Sequence, residues 1–350
     1  MLLLNAVAAT LAALRGSDTN TVWQRTPGGT GTGCAHDSSY NFFVHAGDPR
    51  RLLIYLNGGG ACWNSQNCDL HGRPTFRDEI DSTQLPDQQN GIFDLSNLRN
   101  PVRDFTIVFI PYCTGDVFLG ARTVAYTSAD TTGTRRQFAI RHQGRANADQ
   151  AMAWAFAHTP APRVVFVTGS SAGAIPSPFY ASLVARHYPH ARVVQLGDGA
   201  GGYRASSIPG ILAMWGATTA LRLDSAYRGV DSAAIMFETL YEVGARTNPR
   251  VTFAQYNSAE DNVQLAFLAM LGVHDVPFAD LLAANLADIR RTNPALRTYT
   301  APGPTHTILR RPEFYSLSVD GVAIRDWIAD LLDGKRVADV GSSLLSVSGR

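Results

Sequence analysis

Seven short runs of β-branched and aromatic residues punctuate the chain, at positions 41–44, 52–56 (LLIYL), 105–110 (FTIVFI), 164–168 (VVFVT), 192–196 (RVVQL), 251–255 (VTFAQ) and 296–300 (LRTYT). Runs of this length and composition read as strands. Several are apolar on consecutive rather than alternate positions, which implies burial on both faces, as in a parallel sheet covered by helices. Helical patterns fill the intervals at 143–158, at 173–188 directly after a strand, and at 322–332. Strand alternating with helix predicts an α/β fold built on a mostly parallel sheet.

Two stretches break the alternation and are long enough to be functional insertions. Residues 65–101 are polar and rich in Gly, Pro, Asp and Asn, whereas 199–248 contain the apolar helical segments 211–215 (ILAMW) and 234–237 (AIMF). The second has the composition of a cap over an active site, although ordinary packing of extra helices accounts for it equally well. One domain is expected over 31–338, between an N-terminal tail or remnant signal segment at 1–30 and a flexible tail at 339–350. Residues 1–14 (MLLLNAVAATLAAL) resemble the apolar core of an export signal, with Ala6-Val7-Ala8 as a cleavage tripeptide, but lack the basic residues that should precede it. A frayed helical tail or a misplaced start codon is the competing reading. No other stretch approaches the ~18 uninterrupted apolar residues of a membrane helix.

With 30 basic and 29 acidic residues among 350, the net charge is +1. That gives no electrostatic footprint for nucleic acid or an acidic membrane surface. Lys335 is the one lysine, so Schiff-base and Ser-Lys chemistry have no nucleophile or base in the body of the chain.

The sharpest local signal is Gly169-Ser170-Ser171-Ala172-Gly173, a G-x-S-x-G pentapeptide between a strand and a helix. A nucleophile elbow needs small residues on both sides of the serine because the turn brings backbone segments close together. It would put Ser171 Oγ at the strand end and aim the Ala172 N–H, at a helix N-terminus, toward a developing oxyanion. Such a serine needs a histidine base held by an acid, which in this architecture follow in the order Ser, Asp, His. His306 lies in the turn-rich loop after the last strand, whereas His274 sits in an apolar segment and reads as a packed or surface residue. Two acids compete: Asp198 follows the 192–196 strand and Asp261 the 251–255 strand. Asp261 is preferred because its strand is one nearer the histidine loop, leaving Asp198 to cap a helix or brace the sheet end. The second oxyanion donor is expected from the loop Asn57-Gly58-Gly59-Gly60-Ala61-Cys62-Trp63, where successive glycines let N–H groups turn inward.

Together, LLIYLNGGGACW, the segment Pro111-Tyr112-Cys113-Thr114-Gly115-Asp116, the elbow GSSAG, residues 257–264 (NSAEDNVQ) and Thr305-His306-Thr307 resemble the pectin acetylesterase family, which includes the plant enzymes, the animal Notum carboxylesterases and many bacterial members. The resemblance runs in order from about Cys34 to Leu332. It implies an α/β-hydrolase acting on carboxylic esters of glycans or glycan-like substrates, with Ser171, Asp261 and His306 catalytic and an oxyanion hole from Gly60, Ala61 and Ala172. Where many members have tryptophan directly after the glycines this chain has Ala61, with Trp63 two positions on. Substrate contacts are expected from Trp63, Asp116, Asp198 and Trp215.

The four cysteines fall in the first third of the chain, as paired thiols of an oxidising compartment would, so export to the periplasm or medium is expected. Cys62 and Cys68 bracket a short loop beside the glycines, and Cys34 with Cys113 could tie the N-terminal segment to the sheet. A metal site of Cys62, Cys68 and His71 fits no common zinc spacing and lacks an evident fourth ligand, and free buried thiols are the remaining alternative. The G-x-G-x-x-G at 197–202 is not placed to open a first βαβ unit, so it reads as room under the cap rather than as a dinucleotide site. The expected activity is therefore a cofactor-free, metal-free, monomeric serine hydrolase of acetylated glycans or small acetyl esters, working through an acyl-enzyme. The alternatives are a longer-chain acyl or polyester hydrolase, or a catalytically silent ligand-binding relative.

Overall fold

The computed structural model describes residues 22–129 and 133–345; the export-signal segment lies outside them. Ten strands carry the architecture: β1 (Gln24–Pro27), β2 (Asn41–His45), β3 (Asp48–Leu56), β4 (Phe105–Ile110), β5 (Arg122–Ala129), β6 (Arg135–His142), β7 (Val164–Ser170), β8 (Arg192–Asp198), β9 (Thr252–Ser258) and β10 (Arg297–Ala301). Eight form one sheet in the order β1-β2-β4-β3-β7-β8-β9-β10. From β4 to β10 every pairing is parallel, while β2 joins β4 and β1 joins β2 antiparallel at one edge. This is an α/β-hydrolase-type fold, and the consecutive apolar residues of the central strands are explained by it. Leu52, Ile54 and Leu56 face one core with Val165 and Val167, while Leu53 and Tyr55 face another with Phe166, Val194 and Leu196.

The helices divide between the two faces accordingly. α2 (Gly144–His158), α3 (Ser177–His187), α6 (Phe237–Thr247) and α8 (Phe278–Thr292) supply Ala151, Phe179, Leu240 and Leu286 to the first core, while α9 (Ile324–Leu332) supplies Trp327 and Ile328 to the second. The shorter helices α1 (Ser65–Cys68), α4 (Ile208–Met214), α5 (Ala217–Leu221) and α7 (Asn262–Met270) sit in the connections. Residues 65–101 are mostly turns, but Ile92, Phe93 and Leu95 are buried in the second core, which anchors the stretch. Residues 199–248 divide by role: Ile208 and Ile211 of α4 line the cleft above the sheet, whereas α6 packs as a crossover helix between β8 and β9 with only its first residue, Phe237, reaching the cleft.

Three details depart from the sequence reading. Residues 24–27, placed in the N-terminal tail, form edge strand β1 because they pair antiparallel with β2. The tail expected to be flexible from Asp339 is bound to the sheet edge at its start: Val340 pairs with Tyr299 and is buried, its N–H donates to Thr298 O, and Asp339 accepts from Thr298 N and Arg290. One apolar side chain and two backbone bonds hold what looks like a polar terminus. The hairpin β5–β6 went unread because it buries little, with Tyr126 and Ile140 inward among exposed arginines and threonines.

Candidate active site

The strand order reverses at β3: β4 is added on one side of it, and the chain then crosses back to add β7 on the other. Crevices at the carboxyl ends of strands flanking such a point are where open α/β sheets bind ligands, and the loops after β3 and β7 meet there. At the end of β7, Ser171 has φ 55°, a left-handed conformation that an L side chain adopts only when its surroundings enforce it. The flanking glycines are sterically required. A Cβ on Gly169 would lie 2.4 Å from Gly173 O, and one on Gly173 would lie 2.1 Å from Leu56 O. The helix predicted from residue 173 starts at Ser177, because residues 171–173 form a 3-10 turn and Pro176 occupies the cap of α3.

The loop after β3 is shaped by Gly60, at φ 78°, where a Cβ would lie 1.9 Å from Thr75 O. Gly60 bridges to Phe76 of the first insertion. That bridge corrects the assignment of Ala61 as an oxyanion donor, since its N–H already donates to Thr75 O at 3.2 Å. Among the described residues the N–H groups of Gly60 and Ala172 carry no such bond, and both residues line the same cleft as Ser171.

His306 and Asp261 come together as the spacing suggested. The His306 Nδ1–H donates to Asp261 Oδ2 at 2.7 Å, and Asp261 is fully buried. Asp261 is also the cap of α7, accepting from Val263 N and Gln264 N, with Gln264 Nε2 a further donor to Oδ2. This leaves His306 Nε2 buried without a hydrogen-bond partner, and no bond joins it to Ser171 Oγ. The histidine loop is held by Ser258 Oγ donating to Thr305 O at 2.6 Å.

Asp198 does brace the sheet end, but it is Asp261 that caps a helix. Asp198 pairs in register with Ser170 across β7 and β8 and is fully buried, so it is not on the cleft wall as a substrate contact. Burial pushes its carboxyl up, opposed by hydrogen bonds from Ser170, Ile308 and Leu309. Asp116 departs from the substrate-contact reading for the same reason. It is fully buried, accepts from Thr114 Oγ1, Phe118 N and Gly144 N, and burial raises its pKa to about 6. Polar motif residues read as pocket groups are here satisfied inside the fold.

Trp63 and Trp215 do line the cleft, with Val117, Ile175, Tyr203, Ile208, Ile211, Phe237, Phe267 and Leu271. Among the described residues no charged side chain lines the cleft. Trp215 Nε1 donates to Cys62 O at 2.9 Å, so the same ring that walls the cleft also holds the glycine loop. Ile211 and Phe237 fall in the stretches that the sequence offers as a cap, whereas Val117, Ile175 and Leu271 come from separate segments that each resemble ordinary core.

The cysteines are joined as Cys34–Cys113 and Cys62–Cys68. The ring beside the second pair is His142, not His71, and its nitrogens bond Tyr126 Oη and Thr114 O. The glycines at 197–202 serve close packing: Gly201 N donates to Asn257 Oδ1, and a Cβ on Gly202 would lie 2.2 Å from Phe278. No described helix is long and apolar enough to cross a membrane.

A 75-residue segment is 41% identical to palmitoleoyl-protein carboxylesterase notum1a of Danio rerio, covering 21% of this chain and 15% of that protein. The human counterpart, NOTUM, is 40% identical over 75 residues with the same coverage, and notum1 of Xenopus laevis is 35% identical over 92 residues, covering 25% of this chain and 19% of that protein. The chain thus matches less than a fifth of the length of each of these relatives. The pectinacetylesterase family model matches residues 25–207, from β1 through the glycine loop and the serine elbow to the threshold of α4. With more than half of its length matched, and with the eight-stranded sheet presenting that elbow, the chain belongs to the pectinacetylesterase family.

Proposed function

We propose that the protein is a serine carboxylic-ester hydrolase in which Ser171 is the nucleophile, His306 the base and Asp261 the acid. The observation that carries this reading is His306 itself: Nδ1 is held by buried Asp261 and Nε2 is left without a partner, the arrangement a general base requires. Ser171 Oγ attacks the ester carbonyl as its proton passes to His306 Nε2. The N–H groups of Gly60 and Ala172 receive the oxyanion. Collapse of the intermediate breaks the bond to the leaving alcohol, which takes the proton from His306. Water, deprotonated by the same nitrogen, then releases the carboxylate from Ser171. Fluorophosphonate labelling tests the reading: the label is expected on the Ser171 peptide and absent from Ser171→Ala, and labelling retained in that variant contradicts it.

Acetyl esters satisfy the chemistry, but the cleft beside Ser171 favours esters with a longer apolar acyl chain. Its walls are aliphatic and aromatic, and each buried methylene contributes about 0.8 kcal/mol. The relatives named palmitoleoyl-protein carboxylesterases point the same way. The paired cysteines support a site of action outside the reducing cytoplasm.

A further inference from the structure

We infer that Asp198 is a positioning residue that fixes the histidine loop to the serine elbow. Ser171 and His306 are 135 positions apart in sequence (306 − 171) and make no direct hydrogen bond, so something else must set their separation. Asp198 is the side chain that bonds to the neighbours of both. Its Oδ2 accepts from Ser170 Oγ at 2.5 Å, one residue before the nucleophile. Its Oδ1 accepts from Ile308 N at 2.8 Å and its Oδ2 from Leu309 N at 3.1 Å, two and three residues after the base. All of this is sealed from solvent.

Counting protons shows which way the bonds run. Tyr55 Oη donates to Ser170 Oγ at 2.7 Å, and the Ser170 proton then goes to Asp198. Two backbone N–H groups arrive from the other side, so three groups converge on two carboxyl oxygens, and both oxygens are needed as acceptors for the backbone pair. An amide in its place keeps the shape but turns an NH₂ toward the Leu309 N–H, setting donor against donor. The conformation of the loop depends on these bonds, since Thr307, between His306 and Ile308, has φ 60°. Gly199 follows Asp198 at φ 77°, and a Cβ there would lie 2.9 Å from Thr307 Cγ2, so the backbone after Asp198 closes directly on the histidine loop.

This inference rests on the Ser171–His306 reading and is tested with a control that separates the two. Full-length Asp198→Asn, Ser170→Ala and the double variant are compared with wild type on a nitrophenyl ester, with active sites counted by fluorophosphonate burst and folding checked by circular dichroism. A displacement near 1 Å in a catalytic pair can lower turnover by about 10²-fold. Asp198→Asn is therefore expected to lose roughly 30- to 100-fold in kcat per active site with KM within about threefold of wild type. Ser170→Ala is expected to lose a smaller factor. Because the two share one bond, the double variant should fall well short of the product of the single losses. A folded Asp198→Asn with wild-type kcat per active site, or a loss confined to KM, overturns the inference. If Asp198→Asn does not fold, Ser170→Ala decides alone: lower kcat at unchanged KM supports it and wild-type kcat overturns it. Turnover surviving in Ser171→Ala would instead contradict the underlying reading, whatever Asp198 does.

Discussion

Asp261 holds the His306 ring at 2.7 Å while its backbone opens helix α7, so the acid is fixed by secondary structure as well as by its partner. Asp261→Asn keeps a good helix cap but cannot hold the required tautomer, so turnover should drop by on the order of 10⁴ while stability changes by about 1 kcal/mol or less. Paired kcat and urea-unfolding measurements check this. A variant that loses stability but keeps its rate would remove Asp261 from the chemistry.

The cleft makes acyl-chain length a quantitative readout. Along a nitrophenyl series from acetate upward, kcat/KM should climb by up to about fourfold per methylene until the cleft is full. Ile211→Trp, which fills the cleft from α4, should reduce activity on the longer esters at least tenfold and leave acetate hydrolysis within a few-fold of wild type. A wild-type profile that peaks at acetate would argue against the apolar cleft as the acyl site.

The two disulfides should separate stability from catalysis. Cys34–Cys113 spans 79 positions and Cys62–Cys68 only 6, and loop-closure entropy assigns them roughly 4.5 and 2 kcal/mol. Replacing the first pair with serine should lower Tm by the larger amount with kcat little changed. Replacing the second loosens the loop that carries Gly60, so kcat should fall while Tm changes little. Thermal scans and turnover on both double variants distinguish this from two merely structural crosslinks.

How legible the molecule was in its sequence depended on how local each signal is. The central strands announce themselves because burial on both faces leaves no polar alternation, and the elbow because its glycines are demanded by backbone contacts a few residues away. The pairing of His306 with Asp261 was reachable from chain order. The engagement of Ala61 by Thr75 was not, since it depends on an insertion whose fold is written in turns. Asp116 and Asp198 were read as pocket residues because a polar side chain beside a motif looks the same whether it faces substrate or backbone donors. The hairpin and the docked residues 339–340 were hidden because each buries very few side chains.

His142 supplies a pH test. It is fully buried between Tyr126 Oη and Thr114 O, and burial lowers its pKa from 6.5 to about 4. Below pH 6.5 the unfolded chain binds a proton that the folded ring refuses until about pH 4. Stability from this group is therefore present above 6.5 and lost as pH falls toward 4, amounting to about 3 kcal/mol. His142→Gln should be the less stable protein at pH 7.5, with the gap to wild type narrowing as pH falls through that window. A gap that stays constant in urea titrations at pH 7.5 and 4.5 would contradict a neutral buried ring.

Ser171 as nucleophile is tested by the turnover of Ser171→Ala on the best nitrophenyl ester, read with intact-mass spectra of quenched wild-type enzyme. An acyl adduct is expected on the Ser171 peptide of the wild type, and the folded variant should show neither adduct nor turnover above the residual level left by a missing nucleophile. Wild-type turnover in Ser171→Ala, or an adduct on another residue, would contradict that role.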